Sequence, residues 1–125
     1  MFQRFVLLGT AAMVAACATG PDVRELSQQC SVKYREDSPP GTMVAKPVAE
    51  LRPSLEMLRN YPQSYACVAI SVSERGEVTA AKLLETDKPP LGESLLKLAS
   101  QAKYTPGTLN GNPVPTRTLI SMAIH

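Results

Sequence analysis

The chain has 125 residues, with 13 Lys plus Arg against 11 Asp plus Glu and a formal charge of +2. That length supports one small domain, and the near balance of charge lacks the basic stripe of a nucleic-acid binder. With no Trp and only 5% aromatic residues, stacking platforms for sugars or bases are not expected either.

In chain order the first element is a leader. Arg4 supplies a positive start, residues 5–13 an apolar stretch, and Val14, Ala15 and Ala16 a run of small residues before Cys17. This is the order of a secretory signal peptide with its cleavage site. Residues 5–18 fall short of the roughly 20 apolar residues that a membrane helix needs. The run Val14-Ala15-Ala16-Cys17 resembles the lipobox of bacterial lipoproteins. The resemblance implies cleavage before Cys17, a diacylglycerol on its thiol and an acylated new amine. An ordinary secretory signal with a cysteine at the cut is the alternative. Cys17 is followed by Ala18, Thr19 and Gly20 without an aspartate, which in lipoproteins goes with sorting to the outer membrane. The expected location is therefore the periplasmic face of that membrane. Removing residues 1–16 from 125 leaves 109, and because Arg4 is the one charged residue lost, the formal charge falls from +2 to +1.

Two cysteines then remain, Cys30 and Cys67. An even pair in an oxidising compartment reads as one disulfide, worth about 3–4 kcal/mol in the chain-entropy description. Two separate buried thiols are the other reading. No CxxC spacing occurs, and the single histidine is His125, so neither a thioredoxin-like centre nor a metal site is expected.

Residues 17–46 read as a lipid-anchored tether. Gly20-Pro21 and Ser38-Pro39-Pro40-Gly41 are turn and linker chemistry, with little apolar periodicity around them. The folded domain is expected over 47–125. It opens with a helix near Pro53 that carries Leu51, Leu55 and Leu58 at i, i+4, i+7 and ends at Tyr61-Pro62. A hairpin follows. Val68, Ile70 and Val72 alternate with small or polar residues, Gly76 supplies a turn, and 78–85 forms the partner strand. Facing these valines and isoleucine to the core puts Cys67 on the other face, where the Cys30 segment has room to cross. A second helix carries Leu91, Leu95, Leu98, Ala99 and Ala102 on one face. Asn110-Gly111 marks a tight turn, and 114–124 closes the chain as a strand, its start at a sheet edge because Pro113 and Pro115 cannot donate to a ladder. The fold class is α+β: a small domain with a three-stranded antiparallel sheet and two helices on one face.

The run 68–72, then Gly76, Glu77 and Val78, then Leu83, Leu84 and Glu85 resembles the opening hairpin of TonB C-terminal domains. The helix over 91–102, Tyr104-Thr105-Pro106, Asn110-Gly111 and the strand over 113–124 continue that family's order, and Tyr61-Pro62 is similar to the pair preceding its hairpin. The resemblance covers about residues 58–125 and rests on order and spacing. Taken singly, Gly76 and Gly111 are turn residues, Tyr104 a packing residue and Pro106 a helix stop.

The family is best known for energy transduction to outer-membrane receptors, in which the domain captures an extended receptor segment along its sheet edge. That is strand addition, with backbone hydrogen bonds giving affinity and alternate side chains giving register. By resemblance, the partner-binding edge strand here holds Val114, Thr116, Arg117, Thr118, Ile120 and Met122. Arg117 faces either an acidic group of the partner or solvent. Family domains also pair through edge strands, which leaves a homodimer open. The sequence departs from the transducers in having no membrane-spanning helix and no long proline-rich span.

The expected function is that of a non-enzymatic outer-membrane lipoprotein whose domain binds a periplasmic or outer-membrane protein segment by strand addition, as an accessory to envelope transport. The alternatives are a TonB-type energy transducer and a purely structural envelope lipoprotein. Catalysis needs a nucleophile or metal with a positioned base; Glu74 and Glu77 flank a turn, and His125 stands alone. No cofactor is expected.

Overall fold

The computed structural model describes residues 22–125. The leader over 1–16 and the lipidation candidate Cys17 lie outside the described residues.

The architecture is built around one strand. Ser64–Val72 (β3) is buried along nearly its whole length, because its alternate residues are covered on both faces. It pairs antiparallel with Val78–Thr86 (β4) on one side and Thr116–Ile124 (β8) on the other, giving the order β4-β3-β8. The turn between β3 and β4 closes on Ser73, whose hydroxyl oxygen accepts from the amides of Arg75 and Glu77, both at 3.2 Å. Gly76 sits there at φ 83°, in the left-handed region that glycine occupies without penalty.

One face of β3 presents Ala66, Val68, Ile70 and Val72 to a helix, Pro89–Gln101 (α3), whose Leu91, Leu95 and Ala99 are fully buried against it. Prolines occupy the first turn of α3, where a missing N–H costs nothing. A short helix, Leu55–Asn60 (α2), adds Met57 to the same core. The opposite face is covered by Val23–Lys33 (α1), which packs on β3 and β8. Only Val23, Ser27 and Cys30 of α1 are buried, at i, i+4, i+7 spacing. Cys30 is bonded to Cys67 of β3, with a Cα–Cα distance of 6.6 Å.

Short strands complete the fold. Thr42–Met43 (β1) pairs with Gly107–Leu109 (β6), which pairs in turn with Asn112–Val114 (β7); Lys46–Pro47 (β2) pairs with Tyr104–Thr105 (β5). The β6–β7 turn is Asn110-Gly111, both at positive φ, as hairpin turns of that length require.

The α+β class and the three-stranded antiparallel sheet are as expected, and so is the disulfide. Three features differ. First, the stretch read as a tether contains α1, β1 and β2, so a third helix covers the sheet's second face. Its signal is faint because the buried face of α1 has one apolar residue, Val23, beside Ser27 and Cys30, and the cysteine bond does the rest. Second, Leu55 and Leu58 are 76% and 45% exposed, while Met57 is buried. Ser54 caps α2 by accepting from the Met57 amide at 3.1 Å, and starting the helix there rotates Met57 inward. Third, the closing strand is two strands. Val114 belongs to β7, and β8 starts after Pro115, which has no N–H with which to continue a ladder.

Two bulges in β4, at the register shifts between Cys67 and Val68 and between Ser71 and Val72, have a consequence for placement. Leu83 opposes Val68 and Glu85 opposes Cys67, so the extra residue, Leu84, turns Glu85 onto the α1 face. There its carboxylate accepts from Lys33 Nζ at 2.9 Å, from the Tyr65 hydroxyl at 3.1 Å and, at 3.4 Å, from the Tyr34 hydroxyl. The Lys33 hydrogen bond is the main reason that the Glu85 carboxyl is held below its ordinary range; partial burial opposes it and the Tyr65 hydroxyl adds to it.

Replacing both cysteines, as Cys30→Ser with Cys67→Ser, is expected to lower unfolding free energy by about 3 kcal/mol, read as a fall in the urea midpoint. In that variant the α1 amides should lose exchange protection well before those of α3; equal protection would show that α1 holds by packing alone. For Glu85 the folded-state carboxyl is the stronger acid. Its contribution is therefore present above the unfolded value near 4.5 and is lost as pH falls through the depressed folded value. A series of melting temperatures from neutral pH downward should show Glu85→Gln below the parent at neutral pH and the two converging in acid, with a smaller gap in high salt.

Candidate functional site

The sheet has two edges, and they are not alike. β4 carries two bulges and an exposed lysine, Lys82, devices that blunt an edge against further pairing. β8 pairs with β3 over nine consecutive positions, from Ser64 opposite Ile124 to Val72 opposite Thr116, with no shift. Among the described residues, none of the backbone hydrogen bonds made by turns, loops and caps reaches β8. Its outer row of backbone groups is thus a regular ladder edge, the geometry that accepts an added strand.

Alternation decides what the side chains of β8 do. Thr116, Thr118, Ile120 and Met122 oppose Val72, Ile70, Val68 and Ala66 and so share the α3 face. Met122 and Thr118 are buried there and Ile120 packs against the core. Thr116 Oγ1 accepts from the Ala45 amide at 3.0 Å. Arg117 is on the α1 face. It donates to the Tyr34 carbonyl at 3.3 Å and pairs with Glu36 at 3.0 Å. The residues expected to bind a partner are therefore gathered on one strand, except Val114 on β7, yet most of their side chains serve the fold. What β8 offers a partner is its backbone.

A groove of about 760 Å³ runs beside the first half of β8. Thr116, Arg117, Thr118 and Leu119 all line it. Four consecutive strand residues, pointing alternately to opposite faces, share one groove only if it follows the strand's edge. The far wall is the segment after α1, including Arg35, Asp37 and Pro39, and the end is closed by Val44, Leu109, Val114 and Pro115. An open backbone ladder, a largely polar far wall and an apolar end at Val44, Leu109, Val114 and Pro115 suit an extended chain that pairs through its amides and seats a small apolar side chain at that end. The charges around the groove, Arg35 and Arg117 with Glu36 and Asp37, balance. A second cavity of about 250 Å³ lies between α2 and α3, lined by Met57, Tyr61 and Leu98 among others. Among the described residues, no three His, Cys, Asp or Glu come together as metal ligands would, and no helix is long and apolar enough to cross a membrane.

The wall of the groove depends on residues that sequence reasoning did not single out. Tyr34 and Glu36 anchor it to β8 through Arg117, and Lys33 anchors the end of α1 to β4 through Glu85. The faint signal for them was their position a few residues after Cys30, which the disulfide pins to β3. On the other face of the sheet, the buried Tyr104 hydroxyl donates to the Ala99 carbonyl at 2.6 Å and fastens the end of α3, as its packing role requires. Its burial raises the phenol's pKa. Tyr104→Phe should cost about 1 kcal/mol in urea unfolding while leaving the groove's resonances in place. No family model matches this chain, and no curated protein or solved structure matches it either.

Proposed function

We propose that this domain is a lipid-anchored envelope module that captures an extended segment of a periplasmic or outer-membrane protein by adding it as a strand along β8. The observation that carries the reading is the unshifted nine-residue edge of β8 with a groove running beside it. The resemblance of the hairpin, helix and closing strand to TonB C-terminal domains supports the same edge. Val14, Ala15, Ala16 and Cys17 support the anchor, and the Cys30–Cys67 disulfide suits an oxidising compartment. The role is binding, as an accessory to envelope transport, and it needs neither a cofactor nor a catalytic group. Arg117 contributes by holding the groove wall through Glu36 and Tyr34, and a partner's acidic group that reaches it competes with Glu36 for the same guanidinium.

A photo-crosslinking side chain at Leu119, in the groove, tests this in cells. The expected outcome is a crosslink that maps to one short segment of an envelope protein, with no matching product from the same group at Lys82 on the other edge. That segment, made as a peptide, should slow exchange of β8 amides that are otherwise open. Crosslinks scattered over many proteins, or equal from both edges, would count against strand capture. Arg117→Ala should weaken the peptide's binding roughly tenfold, the loss of one hydrogen bond to a charged group, measured by fluorescence anisotropy.

A further inference from the structure

The direction of α1 is set at both ends. At its start, the Arg24 guanidinium lies against the ring of His125, just past the end of β8. At its finish, the Tyr34 carbonyl accepts from Arg117, one residue into β8. Between them Cys30 is bonded to Cys67. α1 therefore runs antiparallel to β8 and cannot swing, and its eleven residues separate two poles of the domain by about 16 Å. The pole at the start of α1 also holds the start of β3, the end of β4 and the start of α3, since Ser64 opposes Ile124 and Ala66 opposes Thr86. The groove beside Thr116 and Arg117 is at the other pole.

A docked α1 also shortens the leash. Read as a tether, residues 17–46 would let the domain range up to about 100 Å from the membrane. With α1 beginning at Val23 and capped by Asp22, only the five peptide steps from Cys17 to Asp22 remain, at most about 18 Å however they are arranged.

We propose that the domain rests on the phospholipid leaflet by its Arg24 and His125 pole and presents the β8 groove on the side away from the lipid. This rests on the lipid-anchored reading above, and adds to it an orientation and a reach. Arg24 and Lys88 stand exposed at the lipid-facing pole among the equally exposed carboxylates Asp22, Glu25 and Asp87, so it is the short leash, not charge, that brings this pole to the leaflet. A groove held this way stays within roughly 35 Å of the leaflet. The segment it captures therefore belongs to a protein embedded in or seated on the same membrane, not to one free in mid-periplasm.

The test uses the full mature protein extracted from membranes, checked by intact mass for the acyl groups, and reconstituted in phospholipid nanodiscs whose lipids carry a chelated gadolinium headgroup. Amide resonances of Arg24, Gln63 and His125 should broaden several-fold more than those of Glu36, Asp37 and Leu119. Uniform broadening, or the reverse order, overturns the orientation. A flexible Gly-Ser linker of about ten residues inserted after Gly20 should erase the contrast; a contrast that survives shows that the short leash does not hold the pole down, and the proposal fails. Absence of acyl mass defeats the anchored reading itself, whereas acyl mass with uniform broadening defeats only this orientation.

Discussion

The bond between Cys30 and Cys67 is the constraint on which the rest of the molecule depends. β3 buries residues on both faces, and a strand buried on both faces needs two covers. α3 is an adequate cover by itself, with Leu91, Leu95 and Ala99 fully buried on one stripe. α1 is not: apart from Val23 its buried positions are Ser27 and Cys30, too little apolar area to hold a helix on a sheet. The covalent bond replaces the missing hydrophobic contact and fixes where the helix crosses. Polar contacts at the end of α1 then become worth having, because their partners are already in place and little entropy is lost in making them.

From that bond the geometry of the groove follows in steps. The disulfide holds α1 over β3 and β8, and the bulge at Leu84 turns Glu85 toward it. Lys33, Tyr34 and Tyr65 meet that one carboxylate, while the Tyr34 carbonyl and Glu36 meet Arg117 on the far side of the sheet. The end of α1 is thus strapped to both edges, and the residues that follow it stand as a wall beside β8. Each ion pair is at least partly exposed and weak alone; their effect is to choose one position for a wall whose distance from the edge decides what fits between.

How much of this was legible in the sequence depended on whether a local rule was competing with a long-range one. The β3–β4 hairpin, α3, the Asn110-Gly111 turn and the alternation along β8 follow from period, proline and glycine, and these were readable. Leu55 and Leu58 misled because their spacing fits a helix face, but Ser54 set the helix start and so its phase. α1 was hidden because its attachment is one sulfur bond across 37 residues of sequence, invisible to periodicity. Val114 was placed on the wrong strand because alternation continues through Pro115 while hydrogen bonding does not. The candidate edge itself was readable; the wall facing it, built from Tyr34 and Glu36, was not, since both lie in a polar stretch whose conformation is dictated by contacts with β4 and β8.

The contrast between the two sheet edges bears on function more directly than any single side chain. An unprotected edge strand invites aggregation, and folds that do not use an edge blunt it with bulges, charges or a covering segment. β4 is blunted twice over by bulges and carries Lys82. β8 is long and unshifted, and its one charged side chain, Arg117, is held by Tyr34 and Glu36 of the segment beside it. The neighbouring segment stands off far enough to leave a groove instead of closing down as a cover. A fold that guards one edge and leaves the other open beside a shaped channel has the asymmetry that the proposed strand capture would require.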